Sequence, residues 1–275
     1  MSLKIEHACP ICDQNDNLQI RSFSIGYLED NTDTLTMQCN NGHTFEAVLG
    51  IPKFAFMFEN GLTAYNSEFY FEAFSCFYSA LELFRVDFIK AFYSEIHGYS
   101  SFMIDEQLSY IKLSERIYGI YMLCFSLYFN EKADKKSSSI VGNVALPDKA
   151  KTLRNLVVHA GKIISKEECR ELGSTLYNYI RTIYQKFELP ASHDESLTSP
   201  YPAIYSYYAK KSAQIKSDGS EIVIISSDTL TSLELTSVLD LENLPKFEEL
   251  LKKNANRNIN KDGAEYIVKS ITFKQ

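Results

Sequence analysis

The stretch Leu153-Arg154-Asn155-Leu156-Val157-Val158-His159-Ala160-Gly161 sets a guanidinium, an amide and an imidazole along less than two helical turns, just ahead of a helix-stopping glycine. At roughly 100° per residue, Arg154 and His159 stand about 140° apart around a helix, while Asn155 and His159 share a face. A long arginine closes that angle by reaching sideways. Pro147 and Asp148 suit the start of this helix: proline fits a first turn, and an acid fits the positive end of the dipole. Ser165-Lys166-Glu167-Glu168 then forms a capping box for the next helix. An imidazole that moves protons beside a permanent cation is a pairing that phosphodiester chemistry uses.

Helical periodicity extends outward from this stretch. Tyr70, Ala73, Phe74, Phe77, Ala80, Leu81, Phe84 and Phe88 recur every three or four residues, which predicts a long helix with one broad apolar face. Glu82, Arg85 and Asp87 interrupt it. Glu82 and Arg85 are either a surface pair or groups that face the motif across a helix pair. A second helix is expected from about Asp105 to Phe129, followed by a polar loop, Asn130 to Asn143. Cys169, Leu172, Leu176, Ile180, Ile183 and Phe187 mark a final helix that Pro190 ends. Ile51 to Gly61, with Phe54, Phe56 and Phe58, reads as a linker. Four helices with short joins predict an up-and-down bundle.

Taken together, Arg154-Asn155-x3-His159 resembles the R-x4–6-H motif of the HEPN superfamily, small helical domains that include many RNA-cleaving toxins and defence proteins. The resemblance covers about residues 64–188. It implies an endoribonuclease that needs no cofactor for catalysis and dimerises so that two motifs face one cleft. His159 would then be the general base or acid, Arg154 would hold the scissile phosphate, and Asn155 would orient the two. The products would be a 2′,3′-cyclic phosphate and a 5′-hydroxyl. The partners implied are a second copy, an RNA substrate, and an antitoxin or trigger protein. The alternative is a non-catalytic dimeric binding or adaptor module.

Cys9-Pro10-Ile11-Cys12 and Cys39-Asn40-Asn41-Gly42-His43 form two paired clusters with tight turns, the spacing a tetrahedral zinc site needs. Between them Phe23, Ile25 and Tyr27 alternate, as do Leu18, Ile20 and Ser22 before them and Leu35, Met37 and Cys39 after, with a turn at Glu29 to Asp33. This predicts a zinc ribbon with Cys9, Cys12, Cys39 and His43 as ligands. Four protein ligands close the coordination shell, so the zinc is expected to be structural, with the ribbon a docking finger in the adaptor reading.

Beyond a hydrophilic linker, Ala191 to Pro202, strands are expected at Glu221 to Ser226, Val238 to Leu241 and Tyr266 to Phe273, with a short helix at Leu244 to Lys253. No chemistry is legible there. The expected fold class is therefore α+β in several units: a zinc ribbon at 1–50, a HEPN-like helical bundle at 51–188, and a linker with a small α/β unit at 189–275. The net charge of −7 argues against a general polyanion binder. Around the motif, however, Lys149, Lys151, Arg154, Lys162 and Lys166 face only Asp148. No run reaches the roughly 18 apolar residues of a membrane helix, and the N-terminus has no apolar signal core. A cytoplasmic protein without a membrane partner is expected, with Cys76, Cys124 and Cys169 as reduced core residues.

Overall fold

The computed structural model describes residues 3–14, 23–29, 32–111, 114–132, 140, 148–188, 202–217, 222–225 and 245–259. Four strands, β1 (Leu3–Ala8), β2 (Phe23–Leu28), β3 (Thr34–Cys39) and β4 (Thr44–Leu49), pair antiparallel in sequence order. A fifth, β5 (Val223–Ile225), joins β4 in parallel, with Ala47 opposite Val223 and Leu49 opposite Ile225. The alternation in β2 is that of a half-buried strand, but its inner phase is Ser24, Gly26 and Leu28. Ile25 and Tyr27 point outward. A Cβ on Gly26 would meet the Met37 sulfur at 2.5 Å, so β3 fills the inner volume that β2 leaves.

Residues 51–61 are not a linker. They open helix α2 (Lys53–Asn66). Phenylalanines two apart lie about 200° apart on a helix, which disguises the period. The alternation has a cause: Phe54 and Phe58 enter the helical core, while Phe56 enters the core under the sheet with Ile5, Leu35, Met37 and Ile225. Helix α2 is the wall between two cores.

Helix α3 (Tyr70–Ala91) is the axis of the helical body and packs on α2. Its expected stripe, from Ala73 to Phe88, is fully buried. A π-helical turn, Phe92–Ile96, leads to α4 (Ser101–Ser109), capped by the Ser100 hydroxyl. Helix α5 (Ser114–Phe129) follows, so the single helix expected from about Asp105 is in fact two. Then come α6 (Asp148–Ala160) and α7 (Lys166–Lys186), the latter with the expected capping box between Ser165 and Glu168. Phe88 and Phe187 stack at 4.1 Å between ring centroids, tying α3 to the end of α7.

Two further helices come from the C-terminal third. Helix α8 (Ala203–Ser217) packs on α3, β4 and β5, and α9 (Phe247–Ile259) packs on α2 and α7. The strand expectations at 238–241 and 266–273, Leu18 to Ser22, and most of the polar stretch 130–143 lie outside the described residues. A charged network joins sheet to helices: Lys211 meets Asp33 at 2.9 Å and Asp105 at 3.1 Å, and Lys90 meets Asp105 at 2.6 Å. Beside it the Tyr208 hydroxyl donates to buried Asp87 at 2.9 Å. Among the described residues, no helix is long and apolar enough to cross a membrane.

Candidate functional sites

Two short folds bring the N-terminal ligands together. Helix α1 (Pro10–Gln14) starts directly after Cys9, and the Asp13 N–H donates to the Cys9 carbonyl at 3.0 Å, which turns Cys9 and Cys12 to one side. Across the β3–β4 turn, the Gly42 N–H donates to the Cys39 carbonyl at 2.9 Å and the Cys39 N–H to the His43 carbonyl at 3.0 Å. Gly42 has φ +83°, a conformation a side chain resists. The ligand atoms of Cys9, Cys12, Cys39 and His43 all lie within 4.8 Å of one another. A zinc tetrahedron with bonds of about 2.0–2.3 Å has edges of roughly 3.5–3.8 Å. The spacings here are 3.9 Å for Cys12–Cys39, 3.7 Å for Cys9 Sγ–His43 Nδ1 and 3.2 Å for Cys12 Sγ–His43 Nδ1. The cluster could therefore bind a metal ion such as zinc, with His43 offering Nδ1.

The surroundings favour a thiolate at Cys39 and oppose one at Cys9. Burial pushes the Cys39 thiol up, but N–H groups of His43 and Asn41 outweigh it and bring it down to about 6. Cys9, buried with less help, is pushed up to about 11. A buried set that resists full deprotonation alone gains most from a cation. Asn41, to which the cysteine spacing gives no role, donates from Nδ2 to Cys12 Sγ at 3.3 Å.

The second candidate sits on α6. Leu153 and Val157, four apart, enter the helical core and fix which face points out. Asn155 and His159 are exposed and Arg154 is half-buried. Arg154 Nη1 donates to Asn155 Oδ1 at 3.2 Å and lies 3.1 Å from His159 Nε2. A guanidinium has donors only, so this contact requires a lone pair on Nε2 and places the imidazole proton on Nδ1. All three motif residues thus meet. Gly161 ends the helix at φ +65°, and the Lys162 N–H caps the Leu156 carbonyl at 3.1 Å.

The basic window is weaker in space than in sequence. Lys162 is paired with Glu168, and that contact holds the Glu168 carboxyl below its usual range. The side chains of Lys149 and Lys151 lie outside the described set. On α3, Tyr78 meets the motif: its ring centroid lies 5.6 Å from Arg154 Cζ. Arg85, about two turns further on, stacks over Tyr118 and Tyr121 of α5 instead. No sequence signal separates Tyr78 from the other tyrosines. Three apolar residues stand exposed by the motif, Leu156 at 42%, Val158 at 54% and Ile163 at 92%. A separate cavity of about 330 Å³, lined by Ile89, Ile104, Leu108, Ile120 and Leu123 among others, is almost wholly apolar and offers no paired acid, base or cation. Comparison with known proteins finds no matching family model, no matching curated protein and no matching solved structure.

Proposed function

We propose that the protein is a metal-independent endoribonuclease of the toxin or antiphage-defence type, acting in the cytoplasm as a homodimer. The observation that carries this reading is the 3.1 Å approach of the Arg154 guanidinium to His159 Nε2 on an open helix face. In the reaction, His159 Nε2 takes the proton of a ribose 2′-hydroxyl. The 2′-oxygen attacks the adjacent phosphorus, the bond to the 5′-oxygen breaks, and that oxygen leaves with the Nε2 proton of the second copy's His159, which enters the step as the imidazolium with its own Arg154 turned to the phosphate. Arg154 neutralises the charge that gathers on the phosphate oxygens, and Asn155 orients the guanidinium. The exposed Leu156, Val158 and Ile163 suit burial against a second copy, which would bring two motifs to one cleft. The Cys9, Cys12, Cys39 and His43 cluster serves as a structural zinc ribbon, outside the chemistry. An antitoxin, absent from the purified dimer, holds the activity in check.

The same apolar rim also fits the second reading, a non-catalytic HEPN-like adaptor that docks through this face and its ribbon. The test incubates wild type, Arg154→Ala and His159→Ala with labelled RNA without added divalent cations, at verified zinc content. Cleavage by wild type alone supports the nuclease. Intact RNA with all three dimeric proteins selects the adaptor.

A further inference from the structure

Resting on that reading, we infer that Tyr78 is a positioning residue of the Arg154–His159 site. Its ring holds the Arg154 guanidinium against His159 and so fixes the imidazole with Nε2 as the acceptor. Arg154 is a long side chain on a solvent-facing helix, with several rotamers open to it. Two of its contacts, Asn155 and His159, are exposed residues of the same helix and cannot register the group against the rest of the fold. Tyr78 can. It belongs to α3, and it stacks on Phe74 at 6.3 Å with rings 19° from parallel. Phe74 is fully buried. The order Phe74, Tyr78, Arg154 therefore runs from the helical core to the surface, with the guanidinium 5.6 Å from the last ring.

The consequence falls on a named atom. Which imidazole nitrogen carries the proton follows from the bond that the other makes. A guanidinium held at Nε2 keeps the proton on Nδ1, and Nε2 is the lone pair that a 2′-hydroxyl meets once Arg154 swings to the phosphate.

The test measures the ¹⁵N resonances of His159 in alkaline buffer for wild type, Tyr78→Phe, Tyr78→Leu and Tyr78→Met, alongside RNA cleavage. Wild type and Tyr78→Phe are expected to show the Nδ1–H tautomer, and the Leu and Met variants a mixture. Cleavage should fall about 5- to 10-fold in Tyr78→Leu and Tyr78→Met and stay within about 2-fold in Tyr78→Phe. In an Arg154→Ala background, Tyr78→Leu should cost nothing further, whereas a merely structural role would add its full loss. A wild type without the Nδ1–H tautomer overturns the inference even if every variant misfolds. So does a tautomer ratio unmoved by Leu or Met, or an additive loss. A tautomer shift in the absence of any cleavage supports the positioning role and sinks the nuclease.

Discussion

The cysteine cluster and the α6 motif divide the work of the chain in opposite ways. The cluster draws four potential ligands from two separate stretches, buries its three thiols and leaves His43 half-buried. The motif draws three polar groups from one turn and a half of a single helix, and leaves two of them exposed. A site that closes on itself holds structure together. A site that stays open, with an apolar rim, is suited to something that arrives. The contrast predicts that damage to the first costs fold and that damage to the second costs only activity.

Cys12→Ser should produce the largest effect. Structural zinc sites in small peptides supply roughly 10–16 kcal/mol of apparent binding energy, so losing a ligand should abolish bound metal and strip hydrogen-exchange protection from β1 to β4. Cys76→Ser, outside the cluster, should leave metal content unchanged. Retention of metal and protection by Cys12→Ser would break the comparison on its structural side.

His159→Ala and Arg154→Ala should each lower RNA cleavage by about 10²–10⁴-fold. The unfolding free energy of His159→Ala should stay within about 0.5 kcal/mol of wild type, the range for exposed positions, and that of Arg154→Ala, which loses the Tyr78 contact, within about 1 kcal/mol. A large stability loss in His159→Ala, read by urea titration, would mark the imidazole as structural.

The third expectation concerns the junction between sheet and helices. Burial pushes the Asp87 carboxyl up from 3.8 to about 6, against the lowering pull of Lys90 and the Tyr208 hydroxyl. The folded chain thus keeps a proton that the unfolded chain releases, and stability should fall as pH rises between about 4 and 6, by about 3 kcal/mol. Asp105, held below its usual value once Lys90 and Lys211 overcome burial, loses its contribution only at lower pH. Asp87→Asn should flatten the slope in urea midpoints between pH 4 and pH 8. The smallest effect belongs to the end of α6: Gly161→Ala, forced to φ +65°, should cost about 1 kcal/mol in thermal unfolding.

What could be read from the sequence followed from local chemistry. The Cys/His spacing places four potential ligands at one point, the stripe of α3 is buried from Ala73 to Phe88 with Tyr70 half-buried at its edge, and the Ser165 capping box forms as written. What could not be read depends on contacts between distant segments. Helix α2 is hidden in the sequence because its phenylalanines serve two cores at once. Helix α8 is not legible because Ala203 to Ser217 mixes tyrosines, lysines and serines along its length. Nothing near Val223 announces that its partner strand is β4, more than 170 residues earlier. At the motif the three polar groups were legible, while Tyr78 was not, because only the packing of α6 against α3 gives it a role.

The most direct test of the central claim is the chemistry of the cut ends. Wild-type protein is incubated with an RNA and with the same RNA carrying a single 2′-deoxy sugar at the mapped scissile position. The account predicts a 2′,3′-cyclic phosphate and a 5′-hydroxyl from the first and no cut at that position in the second. Cleavage of the deoxy substrate, 3′-hydroxyl and 5′-phosphate ends, or RNA left whole by the intact dimer would contradict it.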